Sequence, residues 1–548
     1  MKTNVSLCIA AALMVAACGD PSHRHNSGEK VSVINSTPDE VIEEDVEITS
    51  NEAALMEPSA NATSKMILSS PPPPPQQRNA ETYKEIKENS FVAVAQQPVT
   101  TFSADVDRAA YANVRRIIGY GQIPPKDAVR IEEMVNYFDY DYPAPEEGSA
   151  SPLRVSPELA PAPWNPNHLL LRIGLQAKKI DLAKAPPSNI VFLIDVSGSM
   201  DEDNKLPLLK SSFKMLLGQL RPDDKIAIVT YANGTKVALP STSVKDKEKI
   251  IKVLDNLYAS GGTSGGRGIQ LAYEQAQKSF IKNGNNRIIL ATDGDFNIGI
   301  NNTTDLEKFI EKQRESGIYM SVLGFGMGNY RDDMAETIAD KGNGNYAYID
   351  NITEAKKVLV NELSGTLFAV AKDVKLQLEF NPKYVKEYKL IGYENRMLAN
   401  EDFTNDKKDA GEIGAGHTVT ALYELVPSDG KVAQSLRYQS QELNEKGKGN
   451  ELGFLKIRYK DPKMKHAKSV EITEPLVFNK KALKETSADY RFAASVAEFG
   501  ILLRNNSNKA NATYDQVIEL AEGAIGKDPE GYRKEFVRLV KSVKMLPK

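Results

Sequence analysis

Between Asn189 and Leu367 short apolar runs alternate with amphipathic segments of helical spacing, and this alternation limits the fold more than any other feature of the chain. The run NIVFLID leads into LPLLKSSFKMLLGQL, where Leu206, Leu209, Phe213 and Leu216 recur on one helical face. KIAIVTYA, RIILATDG, YMSVLGFG and NYAYID read as further strands, and TKVALP as a short edge strand. DKEKIIKVLDNLYA, SGGRGIQLAYEQAQKSFI, TDLEKFIEKQRES, RDDMAETIADKG and ITEAKKVLVNELSG read as helices. Apolar strands joined by helices of this length predict a doubly wound, mostly parallel α/β sheet over residues 187–367.

The flanks read differently. On the N-terminal side, 91–186, the sequence predicts a strand at 100–105, helices at 108–120 and 128–138, and strands at 153–159 and 169–175 with no partners of their own. After Phe368 the β signals return in VKLQLEF, YKLIGYE, HTVTALYELVP, GFLKIRYK and SVEITEP, giving a β-sheet domain over 368–485. The expected architecture is therefore an α/β domain inserted into a β-rich domain built from both flanks. A helical segment, 486–548, closes the chain, with Phe492, Val496, Phe499 and Leu503 on one stripe. At 548 residues several domains are needed, because one core does not grow to that size.

The first residues carry an address. MKTNVSLCIAAALMVAACGD has Lys2, an apolar run from Val5 to Ala17, and then Cys18. That run is too short to span a membrane and fits a signal peptide, 1–18. Residues 19–90 contain an acidic stretch and the run Pro71 to Pro75, and are expected to form a disordered, Pro-rich tether. Cys8 falls inside the signal, so no internal disulfide is expected. The net charge of −4 and the lack of a basic stripe argue against nucleic acid as a partner.

The chemistry gathers at strand ends. Ligands of open α/β sheets bind outside the carboxyl ends of the strands. NIVFLID ends in DVSGS, which puts Asp195, Ser197 and Ser199 at alternate positions on that edge. ASGGTSGG brings Thr263 on a glycine-rich turn, and ATDG brings Asp293 at the end of another strand. Two carboxylates, three hydroxyls and solvent suit a hard divalent cation, which takes oxygen ligands and keeps waters.

DVSGS, Thr263 in GGTS and Asp293 in ATDG together resemble the metal-ion-dependent adhesion site (MIDAS) of von Willebrand factor type A (VWA) domains. The resemblance implies a Rossmann-like VWA fold, a Mg2+ or Mn2+ ion held by Asp195, Ser197, Ser199, Thr263 and Asp293, and a protein partner that offers an acidic side chain to the metal. VAAC resembles a lipobox, which makes Cys18 the lipid anchor; Gly19 rather than Asp after it fits the outer membrane of a Gram-negative cell envelope. TFSADVDRAAYANVRR, IPPKDAVRIEEMVNYFDYDYP and DPEGYRKEFVRLV resemble flanking segments of bacterial lipoproteins built around such a domain.

Other chemistries fit less well. GGTSGGRG has Arg267 and Gly268 where a P-loop needs Lys and Ser/Thr. GTSGG matches a nucleophile elbow in letters, but Ser264 follows a helix-like segment and no histidine lies in the α/β domain. An aspartyl phosphatase would need an acid at the position of Ser197. The histidines His23, His25, His168, His417 and His466 form no zinc motif. DEDNKL reads as a solvated approach to a helix, Trp164 as an inter-domain packing residue, and GFGMGNY as a loop on the metal rim. The expectation is a membrane-anchored envelope protein that binds a protein partner through its metal, without catalysis or a small-molecule substrate. A structural assembly role with an idle site, or a metal-dependent hydrolase, are the alternatives.

Overall fold

The computed structural model describes residues 80–547 apart from 105–106, 264, 295–302, 430–448, 463, 465–467 and 506–508. Sixteen strands in three sheets carry the described fold. The central one has the order β10-β9-β8-β5-β6-β7, built from β5 (Ser188–Asp195), β6 (Lys225–Tyr231), β7 (Thr235–Ser243), β8 (Asn285–Thr292), β9 (Ile318–Gly324) and β10 (Tyr346–Tyr348). Neighbours from β10 through to β6 are parallel, and only β7, at the edge, is antiparallel.

Alternation along β5 assigns its two faces. Ile190, Phe192 and Ile194 point into a core with Leu209, Phe213 and Leu216 of helix Leu206–Gln219 and with Ile250 and Leu254 of helix Lys247–Asp255. Val191 and Leu193 point the other way, against Ile269, Ala272 and Tyr273 of helix Gly265–Lys278 and Met334 and Ile338 of helix Asp332–Lys341. Both faces are covered, so the parallel strands are apolar throughout. The chain enters at β5, runs outward to β6 and β7, then crosses back to β8. The switch point of the sheet lies between β5 and β8, and Asp195 and Asp293 stand at its carboxyl edge.

Two further sheets come from both flanks. One has the order β1-β12-β14-β4-β3: β1 (Val92–Ala93), β3 (Leu153–Ala162) and β4 (Asn165–Ala177) precede the inserted domain, while β12 (Val385–Ile391) and β14 (Thr418–Pro427) follow it. In the other, β11 (Ala369–Phe380) pairs with β15 (Glu451–Lys460) on one side and with β2 (Val99–Ser103) and β13 (Gly411–Gly414) on the other, and β16 (Val470–Val477) flanks β15. Their inner faces share one core that includes Phe102, Ile173, Leu376, Tyr423 and Leu455. The first sheet's other face is covered by helices Ala109–Gly119 and Ile131–Asn136 and by the C-terminal helices Ala488–Leu503, Tyr514–Glu522 and Tyr532–Met545. Trp164 is buried in that helical core.

Four expectations need correction. β3 and β4 form a hairpin with each other, which the sequence did not suggest, while β4 pairs with β14 as a sheet built from both flanks requires. Residues 80–89 are not tether. Ala80 and Thr82 donate to Gly328 O (2.7 Å) and Tyr330 O (3.0 Å), and the Glu81 carboxylate bonds Arg116 (2.8 Å) and the Gly328 N–H (2.9 Å). The helix expected over 128–138 is a single 3-10 turn at Lys126–Ala128 followed by the short Ile131–Asn136. The helix expected over 352–365 is interrupted by a π segment, Lys357–Asn361. The π segment brings Lys357 and Glu362, five residues apart, into an ion pair.

Candidate functional site

The carboxyl edge of β5 turns through DVSGS into a 3-10 segment, Gly198–Asp201. Asp195 Oδ1 accepts from the Ser197 N–H at 2.8 Å, an Asx-type turn that fixes both side chains. Ser197 Oγ and Ser199 Oγ lie 3.1 Å apart. The loop carrying Thr263 is fastened to this turn from below: Ser260 N donates to Val196 O and Gly198 N to Gly261 O, each at 2.8 Å. Gly261 adopts φ +78°, and a Cβ there would run into the Asn233 side chain, whose Oδ1 holds the Gly262 N–H at 2.6 Å. Asp293 follows β8, the direct neighbour of β5, and is fully buried like Asp195.

Burial pushes the Asp195 carboxyl up to about 7, and the Asp293 charge adds to the rise, while bonds from Ser197 and the Tyr231 hydroxyl pull the other way. Asp195 Oδ2 has no hydrogen-bond partner of normal geometry. A buried carboxylate oxygen left open beside a second carboxylate is costly unless a cation joins it. The donor set therefore fits a divalent metal: Asp195, Ser197 and Ser199 on one turn, Thr263 on the loop bonded to it, and Asp293 across the switch point. Among the described residues no group of three or more His, Cys, Asp and Glu side chains is placed to hold a metal, so hydroxyls have to complete any such shell.

Sequence reasoning missed one residue here. Lys205 reaches back from the start of helix Leu206–Gln219, donates to Ser199 O at 2.8 Å and to Glu202 Oε1 at 3.0 Å, and lies 3.4 Å from Asp293 Oδ2. Asp201, Glu202 and Asp203 are otherwise solvated or half-exposed, as expected of DEDNKL. The GFGMGNY loop is on the same rim, since Gly326 lies against the Lys205 stem. Cys18, His23, His25, Ser264 and His466 lie outside the described residues. His168 pairs with Glu424 at 2.6 Å, and His417 is buried away from the edge beside Gly365.

Uncharacterized protein YfbK of Escherichia coli (strain K12) is 48% identical to this chain over 465 residues, which cover 84% of this chain and 80% of the relative. The chain belongs to the YfbK family. The family models match von Willebrand factor over residues 77–172, von Willebrand factor type A domain over 189–361, and Uncharacterized protein YfbK, C-terminal over 365–546. A VWA domain is thus present in this YfbK-family chain, inserted between the two β-forming flanks. Uncharacterized protein sll0103 of a Synechocystis species is 30% identical over 185 residues, covering 34% of this chain and 43% of that protein. Among solved structures, von Willebrand factor type A from Catenulispora acidiphila covers 71% of this chain and 89% of its own, at 16% identity and a TM-score of 0.39.

Proposed function

We propose that this protein is a lipid-anchored envelope protein that binds another protein through a divalent metal, Mg2+ or Mn2+, at the carboxyl edge of its VWA domain. The observation that carries the reading is the open, buried Asp195 Oδ2 at a turn where two serine hydroxyls converge and a second carboxylate stands across the strand gap. Asp195, Ser197, Ser199, Thr263 and Asp293 would hold the ion. When bound, the ion supplies an electrophilic position that an acidic side chain of the partner can occupy. The chain's own part is to fix the donors: the Ser197 N–H orients Asp195, and the two main-chain bonds from Ser260 and Gly198 hold the Thr263 loop against the turn.

The reading is of binding without catalysis, supported by a turn that offers hydroxyl ligands where an aspartyl phosphatase would carry its general acid. Cys18 is the proposed lipid attachment point and the outer membrane the proposed location. No described helix is long and apolar enough to cross a membrane.

Titration calorimetry of Mg2+ and Mn2+ into the full chain and its Asp195→Ala variant tests the metal. Saturable binding to the first and none to the second is the expected result; equal binding by both would remove Asp195 from the site. Membrane fractionation of a Cys18→Ser variant tests the anchor, which predicts a shift to the soluble fraction.

A further inference from the structure

Lys205 is out of place by every local rule. It stands at the N-cap of helix Leu206–Gln219, where small oxygen-bearing residues are preferred, and its side chain makes no cap bond. A cation there also faces the positive end of the helix dipole. Yet the residue is only 3% exposed. Its stem is enclosed by Gly326, which adopts φ +77° and where a Cβ would approach Lys205 Cε to 2.3 Å. Lysine ammonium groups are rarely buried without partners. The partners here are Ser199 O, Glu202 Oε1 and Asp293 Oδ2, so the side chain crosses from the DVSGS turn to the ATDG turn. These are the two turns that carry four of the five candidate metal donors.

We infer that Lys205 is a built-in countercharge that sets how tightly, and with what residual charge, the site takes its divalent ion. The inference rests on the metal reading above and deepens it. Glu202 meets the ammonium from the solvent side, with its side chain 56% exposed, so among the buried groups Lys205 offsets one of the two carboxylates, and Asp195, Asp293 and Lys205 leave a single net negative charge at the edge itself. A divalent ion seated there is under-neutralised by its own protein. It binds the free protein weakly and gains most when an anionic side chain from a partner arrives. A site with both carboxylates uncompensated would hold the ion more tightly and have less to gain from such a ligand. The enclosing Gly326 makes the arrangement specific, since any larger residue would displace the lysine stem.

The test is calorimetry of Mn2+ and Mg2+ against the full chain, its Lys205→Met and Lys205→Gln variants, and Lys205→Arg. Removing the positive charge that lies 3.4 Å from Asp293 Oδ2 should tighten binding about 10- to 100-fold in both neutral variants, while Lys205→Arg stays near the parent. Thermal melts check that each variant is folded, and the glutamine variant keeps a polar donor if the methionine variant is not. Tighter binding in the neutral variants, including binding that appears only in them, supports the inference. Binding by the parent with unchanged or weaker affinity in folded Lys205→Met and Lys205→Gln overturns it and leaves the metal reading intact. No binding by any of the four overturns both.

Discussion

Arg130 Nη1 of the N-terminal flank lies 2.5 Å from Asp332 Oδ2 of the inserted VWA domain, and both side chains are buried. Around this pair Asn113 Nδ2 and Tyr346 Oη donate to Asp332 Oδ1 at 3.1 and 2.7 Å, and Glu133 takes the other edge of the guanidinium. Further along the same helix, Asp340 and Glu336 meet Arg396 of the C-terminal flank at 2.8 and 3.5 Å. Both flanks thus grip one acidic helix face, Asp332–Lys341, through charges that are buried at Arg130, Asp332 and Glu336 and partly exposed at Asp340 and Arg396. The VWA domain is held as part of one body rather than hung between linkers.

That arrangement makes single changes severe. Asp332→Ala leaves the Arg130 guanidinium hydrogen-bonded to Glu133 alone, with Glu336 acting only through space, and we expect a loss on the order of 3–5 kcal/mol in urea denaturation. Arg130→Met should cost a similar amount. The double variant should cost less than the sum, because removing both charges leaves no stranded ion, and an additive result would mean that the pair is not coupled.

The start of the described chain gives a second prediction. Glu81 is held below the ordinary carboxylate range: burial alone would raise it, but Arg116 and the Gly328 N–H outweigh that. Glu81→Ala should therefore lower stability by roughly 1–3 kcal/mol, although residues 80–83 belong to no sheet or helix of their own. A chain shortened to begin at residue 91 should melt lower than one beginning at residue 80. Equal melting temperatures would show that the bonds to Gly328 and Tyr330 add nothing.

The parts of this fold that were legible in the sequence are those set by local spacing. β5 to β10 followed from apolar runs, and Asp195, Ser197 and Ser199 from their place at the end of one such run. The hairpin of β3 and β4 was hidden because Pro161 and Pro166 flank its two-residue turn, and proline ordinarily argues against strand interiors. Arg130, Asp332 and Arg396 could not be matched because their partners lie as far as 289 residues away and a charged residue in sequence reads as surface. Lys205 was hidden for a related reason. It looks like a solvated residue in DEDNKL, and only the return of the GFGMGNY loop buries it.

Close approach at the junction with the C-terminal flank supplies a third prediction. Gly365 sits so near His417 that a Cβ would come within 1.9 Å of its Nε2, and both ring nitrogens are buried. Burial, with Arg108 nearby, lowers the His417 pKa to about 4, so the ring is neutral at physiological pH. Gly365→Ala should destabilise by roughly 1–3 kcal/mol through this overlap. Adding His417→Ala should recover part of the loss, and failure to do so would place the strain elsewhere.

The pH dependence of stability should carry the mark of Glu498. It lies inside the C-terminal helical core, where Oε1 accepts from the Thr513 N–H at 3.4 Å and Oε2 has no partner. Burial pushes its carboxyl up to about 8, from an ordinary value of 4.5. The folded protein therefore keeps a proton that the unfolded chain releases. Below pH 4.5 both states are protonated and Glu498 costs nothing on this account; from there to about pH 8 the unfolded state binds fewer protons, so stability falls as pH rises, and above pH 8 the dependence levels off. The total span is on the order of 5 kcal/mol. Glu498→Gln removes the titration, so denaturation midpoints of the variant and the parent should converge near pH 5 and separate toward pH 8, with the variant the more stable at the alkaline end. Parallel curves across that range would mean that Glu498 is ionised in the folded core, and a charged partner would have to be sought for it.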